Sequence, residues 1–148
     1  MDESDRNGLG LFVLRLALGL IFLLHGWMNF VAGEDAFVHE MLVMAGWSAP
    51  PFLVWVISLF ELVGGLALIV GIYAREAASL LTVEMVTAVA LFHVRQGFFI
   101  VAVPNVPLAY GFEYHVALVG GLVCVALAGP GAWALSKRSS TDAGTAEV

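Results

Sequence analysis

Four long apolar runs fill most of this 148-residue chain, and each carries an ionisable side chain where lipid resists one. Arg15 and His25 lie in the first run, Glu61 in the second, Glu84 and His93 in the third, and Glu113 opens the fourth. A charge near the bilayer centre costs at least ~2.5–3.5 kcal/mol, so such groups normally face a protein interior or water. The rest of the composition leaves little choice of solvent. Hydrophobic residues make up 61% of the chain and charged residues 12%, against ~45–50% and ~25% in soluble globular domains. The sequence predicts an all-α membrane protein, a four-transmembrane-helix bundle with a polar site built inside it.

The predicted spans run from Leu9 to Asn29, Pro51 to Tyr73, Ala77 to Gln96 and Phe112 to Leu127. Each approaches the ~20 residues a helix needs to cross the hydrocarbon, the fourth only with its flanks. Together they place one transmembrane domain over residues 9–135, between an N-terminal tail (1–8) and a disordered tail (136–148) rich in Ser, Thr, Ala and Gly. The first run exceeds the ~7–15 residues of a signal-peptide core and is read as a retained helix. Between spans one and two, Phe37, Met41 and Met44 recur at helical spacing among Glu34, His39 and Glu40, predicting a short amphipathic helix at the interface. The segment Gly97–Gly111 is apolar, and Pro104 and Pro107 bar a helix. It is expected as an irregular interfacial lid, since unpaired backbone is not tolerated in lipid. Trp27, Trp47, Trp55 and Trp133 are expected as interfacial belt residues. Of the six Lys and Arg residues, all but Arg95 fall on the side of the termini, which puts both termini in the cytoplasm and both long loops outside.

The net charge of −6 argues against nucleic acid. The single cysteine, Cys124, excludes an intramolecular disulfide or a cysteine metal cluster and is expected as a small packing residue. No C-x-x-C-H haem attachment or iron–sulfur cysteine set is present.

Helix geometry assigns faces to the polar residues. In span one, Arg15, Phe22, His25 and Asn29 fall within about 80°. In span two, Ser58, Glu61, Gly65 and Leu68 share a face with Gly64 beside it, and in span four Glu113, Ala117, Gly120 and Cys124 align. Gly26, Gly64, Gly65, Gly97 and Gly120 are the expected close-packing positions, because small residues let membrane helices approach. Arg15 is expected to snorkel to the inner interface. His25, Glu61, His93 and Glu113 would then line one cavity open to the outer side. Glu84 lies nine residues before His93, about 180° away on an ideal helix. It is expected apart from the others, at a helix seam or against a second copy in a homo-oligomer. The structural reading of Glu61 is a neutral carboxyl hydrogen-bonded to a neighbouring helix; that of His25, His93 and Glu113 is snorkelling to water.

The strings LRLALGLIFLLHGWMNF (Leu14–Phe30), ELVGGLALIVGIYAR (Glu61–Arg75), HVRQGFF (His93–Phe99) and EYHVALVGGLVCVALAGPGAWAL (Glu113–Leu135) resemble, in order, the helices of the DoxX family. The resemblance implies a four-helix protein of the plasma membrane, linked to thiosulfate–quinone and respiratory oxidoreductase assemblies and to redox-stress complexes. It implies His25, Gly26, Glu61, Gly64, Gly65, His93, Gly97 and Glu113 as signature positions. The chain departs from it at Asn29, where a basic residue is usual, and at Glu84. The leading function is a membrane subunit of a quinone-linked redox system that binds a lipid-soluble carrier at the His/Glu cluster. No intrinsic cofactor or metal is assigned, and a partner enzyme would handle the electrons. A non-enzymatic anchor for a redox-stress complex and a small transporter or lipophilic-ligand binder stay open as alternatives.

Overall fold

In the computed structural model, residues 2–46, 48, 50–101 and 109–135 are described, and the expected tail (136–148), Trp47, Pro104 and Pro107 lie outside them. The chain forms α1 (Glu3–Ala45), α2 (Leu53–Val70), α3 (Ala74–Ala88), a short antiparallel hairpin β1 (Ile100–Val101) and β2 (Ala109–Tyr110), and α4 (Glu113–Ala128). The α3 helix continues as a π turn over Val89–His93 and a 3-10 turn over Val94–Gln96.

Residues 3–8, expected as tail, are instead the first turns of α1. Asp2 caps them: its carboxylate accepts from Asp5 N at 2.7 Å, and Asp5 returns the bond to Asp2 N, which satisfies two of the free donors at a helix start. Helix α1 breaks at Gly33, whose φ of 77° and ψ of −172° are a conformation essentially reserved for glycine. Residues 34–45 resume as a helix that turns Phe37 and Met41 onto Val54 and Phe92. Its last carbonyls are held from the end of span three, Ala45 O by Arg95 Nη1 at 3.3 Å and Met44 O by Gln96 Nε2 at 3.1 Å. A cation at a helix C-terminus complements both the orphan carbonyls and the dipole. The hairpin pairs Ile100 with Tyr110 and Val101 with Ala109, so the base of the expected irregular lid is ordered.

The main core joins all four helices: Leu18 and Phe22 of α1, Leu68 of α2, Ala78 and Leu81 of α3, and Leu122 and Val125 of α4. Three helices are long and apolar enough to cross a membrane: α1, α2 and the span from Ala74 to Gln96. Helix α4 is apolar but has 16 residues, about 24 Å at ~1.5 Å per residue. The chain is thus a multi-pass membrane protein built as an all-α bundle. The expected face of α4 is corrected. Its buried stripe is Leu118, Leu122 and Val125, and Ala117, Gly120 and Cys124 point outward.

Arg15 does not snorkel. It is fully buried, and its guanidinium donates to Pro130 O at 2.6 Å and Ala132 O at 3.5 Å. These carbonyls belong to the chain leaving α4, which also returns Ala132 N to Gly8 O at 2.9 Å. The tryptophans divide. Trp27 stacks on Phe30, which meets Trp55 edge-on, and Trp55 Nε1 donates to Glu34 Oε1 at 2.7 Å. Trp133 packs edge-on to Phe12 at the other end of the bundle.

Candidate functional site: a carboxylate pair and a histidine pair

The site begins with glycines. A Cβ on Gly65 would lie 2.6 Å from Leu23 N, one on Gly19 2.7 Å from Gly65 O, and one on Gly26 2.7 Å from Ser58 O and 2.9 Å from Glu61 Cβ. Only hydrogen fits at these positions, so α1 and α2 meet backbone to backbone, the approach that small residues permit in membranes. That closeness brings Asn29 across to Glu61. Asn29 Nδ2 donates to Glu61 Oε2 at 2.9 Å, and Glu61 is 4% exposed. Where the resemblance leads one to expect a cation, a neutral amide tethers the carboxylate.

A Cβ on Gly64 would meet the Leu81 side chain of α3 at 3.1 Å, so Gly64 packs α2 on α3, whereas the other two expected packing glycines pack nothing. Gly97 has nothing within 4 Å and serves its φ of 82° at the end of span three. Gly120 also faces open space, and its neighbour Gly121 meets Leu14 and Leu18 instead.

The π turn over Val89–His93 changes the azimuth of everything beyond it. A π turn inserts one residue into an α-helix, so the nine-residue step from Glu84 to His93 turns like about eight, ~80° instead of ~180°. Glu84 is therefore not set apart. It lies within Coulombic range of Glu61, half-buried, with Oε2 buried and unpartnered. His93 turns onto His115 of α4, the ring centroids 4.0 Å apart and tilted by 44°. His93 Nδ1 lies 2.8 Å from Tyr110 O. Since a carbonyl only accepts, Nδ1 carries the proton of this bond, and Nε2 is left to exchange. Ser79, Thr82 and Thr87 spend their hydroxyls on carbonyls four residues back and take no part.

Glu113 is not part of this group. Its Oε1 accepts from Ile100 N at 3.0 Å while its own N–H donates to Phe98 O at 2.9 Å, so it clamps the hairpin to α4. Gly111 completes the clamp, since a Cβ there would collide with the carbonyls of Phe98 and Phe99. His25 is exposed on α1, one turn before Asn29, and within Coulombic range of His115. The residue that sequence reasoning missed is His115. It stands three, seven and ten residues before Leu118, Leu122 and Val125, on the buried stripe of α4, and that spacing is the signal that could have found it.

Two sets of side chains thus form: Asn29, Glu61 and Glu84 in the bundle, and the pair His93 and His115, with the exposed His25 in Coulombic range of His115. Among the described residues no three His, Cys, Asp or Glu side chains are grouped to hold a metal ion. Beside Glu84, an open-sided furrow runs between α2 and α3. One part, ≈ 240 Å³, is lined by Val56, Ile57, Phe60, Leu80, Val83 and Glu84. A second, ≈ 230 Å³, shares Phe60 and Leu80 and continues to Tyr73 and Glu76.

The DoxX family model matches residues 10–94. The chain is 29% identical over 133 residues to an uncharacterized membrane protein of Mycobacterium tuberculosis, a match covering 88% of this chain and 81% of that one. It is 33% identical over 88 residues to an uncharacterized protein of Haemophilus influenzae, covering 55% of this chain and 57% of that one. No solved structure matches it. The match from 10 to 94 takes in Asn29, Glu61, Glu84 and His93 and more than half of the 148 residues, and the chain belongs to the DoxX family.

Proposed function

We propose that the chain is the membrane subunit of a quinone-linked redox system, binding a lipid-soluble carrier whose headgroup meets Glu84 and Glu61. The observation that carries this reading is the position of Glu84. Glu84 lines an apolar furrow between α2 and α3, with one carboxylate oxygen buried beneath that apolar surface and unpartnered, and with Glu61 in Coulombic range. A flat headgroup with hydroxyl or carbonyl oxygens suits such a wall, and Phe60 and Leu80, common to both halves of the furrow, suit an isoprenoid tail. Pockets of this kind are mostly apolar with few polar groups that fix orientation. In this reading the carrier enters sideways from lipid, not through the loop Gly97–Gly111. Electrons pass to or from a partner redox protein, since the chain brings no haem or cluster motif of its own.

The same reading makes α4 the fourth span, puts residues 34–45 at the outer interface of the plasma membrane, and keeps both termini cytoplasmic. Cysteine-accessibility labelling at Glu34 and Ser140 tests the orientation, and labelling of Ser140 from outside intact cells contradicts it. The function is tested by purifying the full chain with native lipid and quantifying co-extracted quinone in the wild type and in Glu84→Gln and Phe60→Ala. A near-stoichiometric quinone that falls in both variants supports the proposal. A stoichiometric protein partner with no quinone replaces it with the anchor reading, and an unchanged quinone content in both variants removes the furrow.

A further inference from the structure

Nothing in the carrier site uses the three histidines, yet the fold spends three elements on them. The hairpin fixes His93, because the bond from Nδ1 to Tyr110 O at 2.8 Å leaves Nε2 as the nitrogen that gains or loses a proton. Helix α4 supplies His115, its ring 4.0 Å away by centroids and its Nδ1 buried without a partner. Helix α1 supplies His25, within Coulombic range of His115 and one residue from Gly26, whose backbone abuts Glu61. His93 and His115 sit at the hairpin end of α3 and α4. On the antiparallel α1–α2 pair, His25 is level with Glu61. The imidazoles therefore descend from the hairpin toward the carboxylates. Ser58, one turn from Glu61 on the same face, is 0% exposed with an unpartnered hydroxyl, so polar atoms continue the descent. Buried polar atoms without protein partners are where internal water binds.

Of the other titratable groups, Tyr114 of α4 meets His115 edge-on and Tyr110 of the hairpin supplies the carbonyl that holds His93, while Glu113 and Arg95 lie two residues along the chain from His115 and His93. Glu113 Oε1 is bound to Ile100 N and Arg95 Nη1 to Ala45 O.

We propose that His93, His115 and His25 form a proton relay joining the hairpin end of the bundle to the Glu61–Glu84 pair. This rests on the carboxylate site proposed above, though not on a quinone occupying it. One proton moves and no electron does. It binds His93 Nε2 from the hairpin side. That N–H bond breaks as an N–H forms on His115, directly or through water, and the step repeats onto His25. The last N–H breaks as an O–H forms on a carboxylate oxygen of Glu61 or Glu84. Two imidazoles at 4.0 Å resist carrying charge together, so each arriving proton drives the previous one on. Release from the carboxylates runs the same steps in reverse.

Infrared spectroscopy of the full chain in phosphatidylcholine vesicles tests the relay. The carboxyl C=O band of the interior shifts when H₂O is replaced by D₂O, and Glu61→Gln and Glu84→Gln assign it. The expected result is exchange slowed about 10²-fold in His93→Phe and in His115→Phe, with no change in His39→Gln, which lies on residues 34–45 outside the cluster. Imidazole added to His115→Ala should restore the rate, which a purely structural role would not allow. Unslowed exchange in His115→Phe, absence of any interior carboxyl band, or slowing that imidazole leaves untouched would each overturn the proposal. Slowed exchange in a protein that retains no quinone keeps the relay and discards the carrier.

Discussion

Gly26→Ala probes the seam on which the Asn29–Glu61 tether depends. The added Cβ would meet Ser58 O at 2.7 Å, Glu61 Cβ at 2.9 Å and Leu62 N at 2.9 Å. These are backbone atoms or the first atom of a side chain, so no rotamer change relieves them. Restoring ordinary contact at ~3.5 Å requires α1 and α2 to part by roughly 0.6–0.8 Å. The same movement stretches Asn29 Nδ2···Glu61 Oε2, now 2.9 Å, beyond the ~2.7–3.2 Å range of such bonds. Overpacking costs ~1–3 kcal/mol and an interhelical hydrogen bond in a membrane ~0.6 kcal/mol, at most ~1.7. The expected loss is therefore about 2–5 kcal/mol. Gly120→Ala is the matched control, because nothing lies within 4 Å of its Cβ and replacing a helical glycine gains ~0.5–1 kcal/mol. Unfolding in detergent micelles, followed by far-UV circular dichroism and tryptophan fluorescence, gives both values. A Gly26→Ala variant within ~0.5 kcal/mol of wild type, or a Gly120→Ala variant equally damaged, refutes the reasoning.

Glu61→Gln should keep the stability, since an amide oxygen still accepts from Asn29, and abolish function; Glu61→Leu should lose ~0.6–1.7 kcal/mol as well. Thermal stability paired with carrier binding reads both, and a fully active Gln variant removes Glu61 from the mechanism. Arg15→Met leaves the carbonyls of Pro130 and Ala132 without their donor, costing ~1–3 kcal/mol for each that stays buried and unpaired. Arg15→Lys should not rescue it, because one ammonium cannot reproduce the guanidinium fork; a lysine variant as stable as wild type in nanodiscs contradicts this. Gly111→Ala should open the hairpin clamp at a cost of ~1–3 kcal/mol, read as faster amide exchange at Ile100 and Glu113, whose protected amides would otherwise stay slow.

The apolar runs and their intruding charges were enough to read the bundle from the sequence, and the glycine faces of α1 and α2 were enough to read the seam at Gly26 and Gly65. Both are signals of period and size. Span three defeated the same method because nothing between Glu84 and His93 (no Pro, no Gly) marks the π turn, and one inserted residue moves every later side chain by ~100°. In α4 the apolar residues surround the helix, so small residues were the only guide to a face. They pointed to Gly120 and Cys124 instead of the stripe of Leu118 and Leu122. His115 was lost with the face of α4, and the partner of Glu61, Asn29, is defined by what stands opposite it across the α1–α2 seam, which a single strand of sequence does not list. Glu113 was conspicuous as a charge beside an apolar run, but its use as a hairpin clamp depends on an amide thirteen residues earlier in the chain.

The bond from Arg15 to Pro130 sets an order of events during synthesis. Arg15 leaves the ribosome 115 residues ahead of Pro130, whose carbonyl accepts from its guanidinium. Until they arrive, the first span carries a bare guanidinium that the bilayer resists by at least ~2.5–3.5 kcal/mol. The span would therefore linger beside the insertion machinery, or shelter its charge in a water-filled cleft, until the last helix exits. Arrival of the segment after α4 thus becomes the condition for release of α1. A nascent chain stalled before residue 130 would present an unshielded intramembrane cation, a mark by which membrane quality control could tell an unfinished copy from a finished one.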